Sequence, residues 1–260
     1  MMLTTIWKGI INSFEKKFSY GDVINHYVIV NELGKGSYGT SYLVRDKKSE
    51  QRFVLKRLRP YKRIFNKGQN FIEYEASVLR NISHPAFPSV FSQGVDGKSP
   101  YFVMEYKEGK TFETLVFEDK MCFDENKSTK IVLKLIMLVG FIHEKGYVHR
   151  DLRLPNIIWN QGELSIIDFG LCARIQSTSH VEVQKQKDYM RERAITSDFY
   201  AVGHFYLFLL YSSYHDFDHK EKSWEEELTI SSQTRRVLRK LLGIEEPYKG
   251  YKEIIKDLCT

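Results

Sequence analysis

The sequence predicts an α+β protein: a small strand-rich half with one main helix, followed by a larger, mostly helical half. Three observations carry this. Short runs rich in β-branched and aromatic residues crowd the first hundred positions, helical apolar stripes dominate after Thr111, and no repeat or linker intervenes. A cleft between two such halves is where a ligand is expected.

The elements follow in order. Tyr27–Leu33 and Ser41–Arg45 read as strands around a glycine cluster, and Arg52–Leu58 as a third strand. A basic loop (Arg59, Lys62, Arg63, Lys67) leads into a helix from about Phe71 to Ile82. Phe91–Gln93 and Tyr101–Glu105 read as two more strands around the turn Asp96-Gly97-Lys98. The strongest helix covers about Glu125–Lys145, with Ile131, Leu135, Leu138 and Ile142 on one stripe and Gly146 where a C-terminal cap belongs. Ile157–Asn160 and Leu164–Ile167 form a hairpin through Gln161-Gly162, and helices resume at about Ser197–Ser212, Ser232–Leu242 and Tyr251–Leu258.

Residues 1–20 form a separate pattern. Ile6, Trp7, Ile10, Ile11, Phe14 and Phe18 oppose Lys8, Lys16 and Lys17, as in an amphipathic helix. One apolar stripe is first of all a packing signal, and second a weak peripheral anchor for a membrane surface or a partner.

Composition bounds the function. With 42% hydrophobic and 28% charged residues over 260 positions, the chain is neither disordered nor fibrous. Three cysteines without paired spacing point to a reducing, cytoplasmic compartment. A net charge of +6 suits an anionic ligand without marking a nucleic-acid binder, and the basic run Lys56 to Arg63 reads as a solvated face. Nucleic acid is therefore not an expected partner. The longest apolar stretches, Ile131–Ile142 and Phe199–Tyr211, are short for a membrane span and contain Lys134 and His204. The N-terminus lacks a secretory signal pattern. His84, His180, His215 and His219 show no zinc-ligand spacing with cysteines.

Chemistry concentrates in three places. Gly34-Lys35-Gly36-Ser37-Tyr38-Gly39 has the form GxGxxG, but strands on both sides place it in a hairpin rather than a dinucleotide-binding turn. Such a loop can lay backbone N–H groups over phosphates. Alternation puts Lys56 beside Val54 and Leu58 on one side of its strand. In the next helix Glu75 joins Phe71, Leu79 and Ile82 on one face, so Lys56 and Glu75 are expected to pair and offset each other's desolvation. Finally, His149-Arg150-Asp151-Leu152-Arg153-Leu154-Pro155-Asn156 precedes Asp168-Phe169-Gly170 across the short hairpin. Asp151, Asn156 and Asp168 supply oxygen ligands for Mg²⁺ and a spare carboxylate to act on a hydroxyl.

These motifs, in this order and context, resemble the eukaryotic-like (Hanks-type) protein kinases over about residues 25 to 260. The compact length and the ending Leu241-Leu242-Gly243-Ile244-Glu245-Glu246 are most similar to small, soluble, single-domain serine/threonine kinases of Gram-positive bacteria. The resemblance implies a bilobal fold: an extension at 1–24, an N-lobe at 25–104, a hinge at 105–109 and a C-lobe at 110–260. It implies ATP with Mg²⁺ or Mn²⁺ as cofactors, Ser/Thr-bearing protein substrates and autophosphorylation.

By the same resemblance, Gly34, Lys35, Gly36, Ser37, Tyr38 and Gly39 cover the phosphates of ATP, and Lys56, paired with Glu75, holds them. Ser41, Val54 and Ile158 border the adenine. Met104 is the gatekeeper ahead of the hinge Glu105-Tyr106-Lys107. Asp151 orients the substrate hydroxyl and accepts its proton, Arg153 stands near the γ-phosphate, and Asn156 and Asp168 hold the metal. Asp198 braces the catalytic loop, and His149, Phe169, Leu79 and Val90 stack as a spine.

Departures from the family are equally legible. Ser41 replaces the usual adenine-covering valine, Val54 the usual alanine, and Arg153 the usual lysine. No Ala-Pro-Glu occurs between Asp168 and Asp198, and no partner arginine for it stands near Glu246-Pro247-Tyr248. A reduced peptide platform leaves a small-molecule or sugar acceptor as the alternative substrate. A non-enzymatic binding module conflicts with intact Lys56, Asp151, Asn156 and Asp168. Arg150 before Asp151 suggests control by phosphorylation at Ser177, Thr178 or Ser179.

Overall fold

A computed structural model describes residues 18–36, 39–58, 71–97, 99–176, 192–214 and 222–259. The helix expected in the first 17 residues, Ser37 and Tyr38, the basic loop from Arg59 to Lys67, and Ser177, Thr178 and Ser179 lie outside them. So do His180, His215 and His219. The chain divides into two compact units, Met1–Lys107 and Glu108–Thr260.

The first unit is an antiparallel sheet with one helix. Strands β1 (Val23–Ile24), β2 (Tyr27–Lys35), β3 (Gly39–Asp46), β4 (Arg52–Leu58), β5 (Val90–Asp96) and β6 (Ser99–Glu105) pair in the order β1-β2-β3-β4-β6-β5, and helix α1 spans Phe71–Asn81. The two sides of the sheet have different cores. Tyr27, Ile29, Tyr42, Val44, Leu55, Tyr101 and Val103 cluster on one side with Phe18, the last residue of the N-terminal apolar stripe. Helix α1 lies on the other side, where its Ile72 lies against Gly39 and its Glu75 meets Lys56. Strand β4 is therefore buried on both faces from Val54 to Leu58, where simple alternation would bury only every second residue.

The second unit is built around two helices. Helix α2 (Glu125–Glu144) begins at Asp124, whose side chain accepts a hydrogen bond from the Lys127 N–H (2.8 Å). Gly146, just beyond its end, has φ +80°, the left-handed value its position predicts. Helix α2 buries Val132, Ile136 and Val139 besides Ile131, Leu135 and Ile142, so its apolar surface is far wider than one stripe. The cause is its central position: it packs on both α3 (Ile195–Tyr211) and the last helix (Tyr251–Cys259). A Cβ on Gly140 would lie 2.5 Å from the Tyr251 ring, which is how closely that last helix approaches.

Short elements complete the unit. Strands β7 (Lys110–Thr111), β9 (Ile157–Asn160) and β10 (Glu163–Ile166) form one small sheet, and β8 (Tyr147–Val148) pairs with β11 (Ala173–Arg174). Helices α4 (Trp224–Glu227), α5 (Ser232–Leu241) and α6 (Tyr251–Cys259) follow α3. The sequence reading lacks β1, β7, β8, β11 and α4 because two-residue strands and a single helical turn carry no measurable periodicity. No helix among the described residues is long and apolar enough to cross a membrane.

Candidate active site

In the first unit, strand register gathers the candidate residues on one sheet face. Ser41 lies opposite Lys56 across β3–β4, and Val54 lies opposite Met104 across β4–β6. Lys56 Nζ donates to Glu75 Oε1 at 2.8 Å, both side chains nearly out of solvent. One partner comes from a central strand and the other from α1, so regular elements alone hold the pair. Left single, either charge would be costly; removing one partner of a buried pair costs about 3–5 kcal/mol.

The three glycines differ in why they are glycine. At Gly39 a Cβ would meet the Arg57 carbonyl oxygen at 2.9 Å, so close strand packing requires it. At Gly34 a Cβ would meet nothing within 4 Å, and at Gly36 only the Gly39 oxygen at 3.6 Å. Neither has a positive φ, so the fold itself does not demand glycine there. The space left open suits a ligand that approaches the backbone closely. Lys35 reaches back to Glu32 at 3.4 Å on the surface. At the predicted hinge, the Glu105 N–H donates to the Ser89 carbonyl (2.9 Å). Lys107 Nζ bonds both Glu105 Oε1 (2.7 Å) and the Pro85 carbonyl (2.6 Å), which ties this stretch down.

In the second unit the candidate residues sit on loops clamped by short strands. The turn Gln161-Gly162, with φ of 49° and 96°, closes the hairpin of β9 and β10. Ile167 N–H donates to the Asn156 carbonyl (2.9 Å), continuing the ladder and fixing Asn156 and Asp168 on either side of it. Ile158, nearly buried, sits in β9 opposite Ser165. The pairing of β8 with β11 joins the start of the loop that carries Asp151 to the stretch after Gly170.

Two side chains hold Asp151. Arg153 Nε and Nη2 donate to its two carboxylate oxygens at 2.7 and 3.0 Å. Asn156 Nδ2 donates to its Oδ2 at 2.8 Å and to its backbone carbonyl at 2.9 Å. This turns the amide oxygen of Asn156 into the atom able to ligate a cation. The hydrogen bond it donates to Asp151, reinforced by the carboxylate's charge and outweighing partial burial, raises the pKa of Arg153, which remains charged throughout.

Beneath lies Asp198, fully buried in the first turn of α3. Its carboxylate accepts the backbone N–H groups of His149 and Arg150, both at 2.8 Å, and contacts His143 Nε2 at 2.9 Å. Burial pushes its pKa up. The hydrogen bond and charge of His143, with the backbone bonds, outweigh this and hold the carboxyl below its usual range. His149, also fully buried, is pushed down by burial despite the surrounding carboxylates. Its Nδ1 accepts the Asp151 N–H (3.2 Å), and its ring meets Phe169 edge-on at 4.7 Å. Arg150 and Asp168 have φ of 67° and 61°, left-handed values that cost a non-glycine residue about 1–3 kcal/mol. At Arg150 the Asp198 carboxylate takes the backbone N–H, and the guanidinium donates to the Leu171 carbonyl (3.1 Å).

The donor set fits a hard divalent cation. Asn156 and Asp168 offer amide and carboxylate oxygen, and among the described residues no cluster of three His, Cys, Asp or Glu could hold a metal by itself. An ion here would complete its shell with phosphate and water, the habit of Mg²⁺.

A sequence model of the protein kinase domain matches residues 27–249. The chain belongs to the protein kinase family. A probable serine/threonine-protein kinase, YbdM, of Bacillus subtilis is 35% identical over 246 residues, covering 94% of this chain and 93% of that protein. The Aurora/IPL1-related protein kinase 2 of Caenorhabditis elegans is 27% identical over 69% of this chain and 61% of its own length. Among solved structures, the PknI kinase domain of Mycobacterium tuberculosis superposes with a TM-score of 0.69 at 16% identity, covering 94% of this chain and 99% of that one. The fold is therefore the α+β protein kinase fold.

Two features of this kinase escape sequence reasoning. His143 braces Asp198, yet in the last turn of α2 it reads as an ordinary complement to the helix dipole. The second is Arg239 of α5, which binds both oxygens of Glu225 (2.7 and 2.9 Å) and Glu245 Oε1 (2.7 Å).

Proposed function

We propose that this kinase transfers the γ-phosphoryl group of ATP to Ser/Thr hydroxyls of proteins, its own included, in the cytoplasm. The observation that carries the reading is the Asp151 carboxylate, fixed by Arg153 and Asn156 on a loop that Asp198 braces. Such a fixed carboxylate can orient a hydroxyl and take its proton as the oxygen attacks phosphorus. The buried Lys56–Glu75 pair supplies a fixed cation for phosphate oxygens, beside Ser41, Val54 and Met104 as one wall for a purine. In this reading Ile158 also borders the purine, and Gly34, Lys35, Gly36, Ser37, Tyr38 and Gly39 are the residues assigned to the phosphates. Asn156 and Asp168 would hold Mg²⁺ or Mn²⁺, which when bound neutralises charge on the transferring phosphoryl group. Arg153 binds Asp151 and stays close to where the incoming phosphoryl charge develops.

The matched relatives are named as protein kinases, which does not favour the small-molecule acceptor. The test is labelled ATP with Mg²⁺ or Mn²⁺ and generic acceptor proteins, beside an Asp151→Asn variant. Label on Ser or Thr in the wild type alone supports the reading. Label that survives the substitution overturns it.

A further inference from the structure

The second unit carries an apolar groove of about 340 Å³ directly beside the catalytic loop. Its walls come from three elements: Phe117 from the turn 114–118, Leu154 and Pro155 from the catalytic loop, and Ala201 and Phe208 from α3. Phe117 and Phe208 are 51% and 48% exposed. Helix α3 buries Phe199 and Phe205 almost completely, so Phe208 is the aromatic that its packing leaves out. Burial also holds His204, on the groove's edge, below its ordinary pKa, so that edge is uncharged at neutral pH.

One residue joins this groove to the chemistry. Arg153 lines it and, from the same side chain, grips both oxygens of Asp151. A chain that presents a hydroxyl to Asp151 therefore runs across Arg153, and an arginine side chain spans roughly two residues of extended chain at about 3.3 Å each. A nearby side chain of that substrate comes to lie over the groove, whose surface is mostly apolar, its charged lining being Glu113 and the Arg153 that already grips Asp151. We infer that the groove formed by Phe117, Leu154, Pro155, Ala201 and Phe208 is a substrate subsite that takes a large apolar side chain within three residues of the accepting Ser or Thr. The inference rests on the reading of this site as a protein kinase. It also supplies peptide selection from a part of the molecule independent of the absent Ala-Pro-Glu.

The test uses the full chain and synthetic peptides with one Ser, placing Phe, Leu, Ala, Asp or Arg at each position from three before to three after it. At one position Phe and Leu should exceed Ala roughly tenfold in kcat/KM, the range expected for filling an apolar pocket. Phe208→Glu should abolish that preference and favour Arg at the same position, and Phe117→Glu should weaken it. Both side chains are half exposed, so the melting temperature should stay within a few degrees. Transfer to peptides with no apolar preference at any position overturns the subsite and leaves the kinase reading standing. No transfer to any peptide, protein or the chain itself overturns both. If Phe208→Glu lowers every peptide by the same factor, lowers the melting temperature sharply or dissolves a wild-type dimer in sedimentation, the groove belongs to self-packing and the subsite is overturned.

Discussion

The two units hold their charged residues by opposite means. Lys56 and Glu75 meet because a strand and a helix bring them together, and no backbone strain is involved. Asp151, Asn156 and Asp168 sit on loops, with left-handed backbone at Arg150 and Asp168 and a buried carboxylate holding the loop from below. In the first unit the pair is separable from the scaffold. In the second the scaffold is itself polar, so chemistry and stability depend on overlapping groups. Changing a charge therefore gives different costs in each place.

The largest expected effect is on transfer alone. Asp151→Asn should reduce kcat on the order of 10³-fold while leaving urea-unfolding stability within about 1 kcal/mol, because Asp151 touches solvent and its neighbours can relax. An equal loss of stability would erase the distinction between reacting group and brace.

The next effect separates the units. Lys56→Met should remove most transfer and cost about 3 kcal/mol, since Glu75 is left buried without its cation. Adding Glu75→Leu should recover most of that stability with no recovery of activity. Asp198→Asn has no such rescue: two backbone N–H groups and His143 lose a charged acceptor, at a cost of about 3–5 kcal/mol, and transfer falls with it. If Asp198→Asn unfolds at the wild-type urea concentration, the brace is not structural.

Acid should expose the same contrast. His149 is held below its unfolded value of 6.5, so the unfolded chain binds a proton that the native chain refuses. Its contribution is full above that pH and is lost as pH falls through the native pKa. Asp198, held below 3.8, adds a second loss at lower pH with the same sign. His84 and His204 are shifted downward by burial too, so the diagnostic is a difference. His149→Gln should flatten part of the stability decline that begins below about pH 6.5, measured by urea titration at each pH. An unchanged slope would remove His149 from the account.

What was legible in the sequence follows the same division. The long strands and helices, and the Lys56–Glu75 pair, could be read because periodicity reports faces, and faces decide which side chains meet. Asp151, Asn156 and Asp168 were legible as residue types in a known order, not through periodicity. The reason they stay put was illegible. His143 reaches Asp198 across 55 positions, and the two-residue strands that clamp the loops leave no pattern. The burial of β4 on both faces was equally hidden, since alternation within one strand says nothing of what covers each side.

The smallest expected effect concerns Arg153. Its side chain is 57% exposed, yet it bonds both carboxylate oxygens of Asp151, at 2.7 and 3.0 Å. An exposed ion pair contributes about 0–1 kcal/mol, so Arg153→Ala should scarcely move the unfolding midpoint. Activity should fall about tenfold, because Asp151 keeps only the Asn156 bond to fix its orientation. Arg153→Lys restores charge but cannot reproduce the two-pronged grip, so it should recover only part of that loss. Full recovery by lysine would mean that charge alone matters there. No loss with alanine would mean that Asn156 suffices to orient the carboxylate, and that the second unit positions its base as economically as the first positions its lysine.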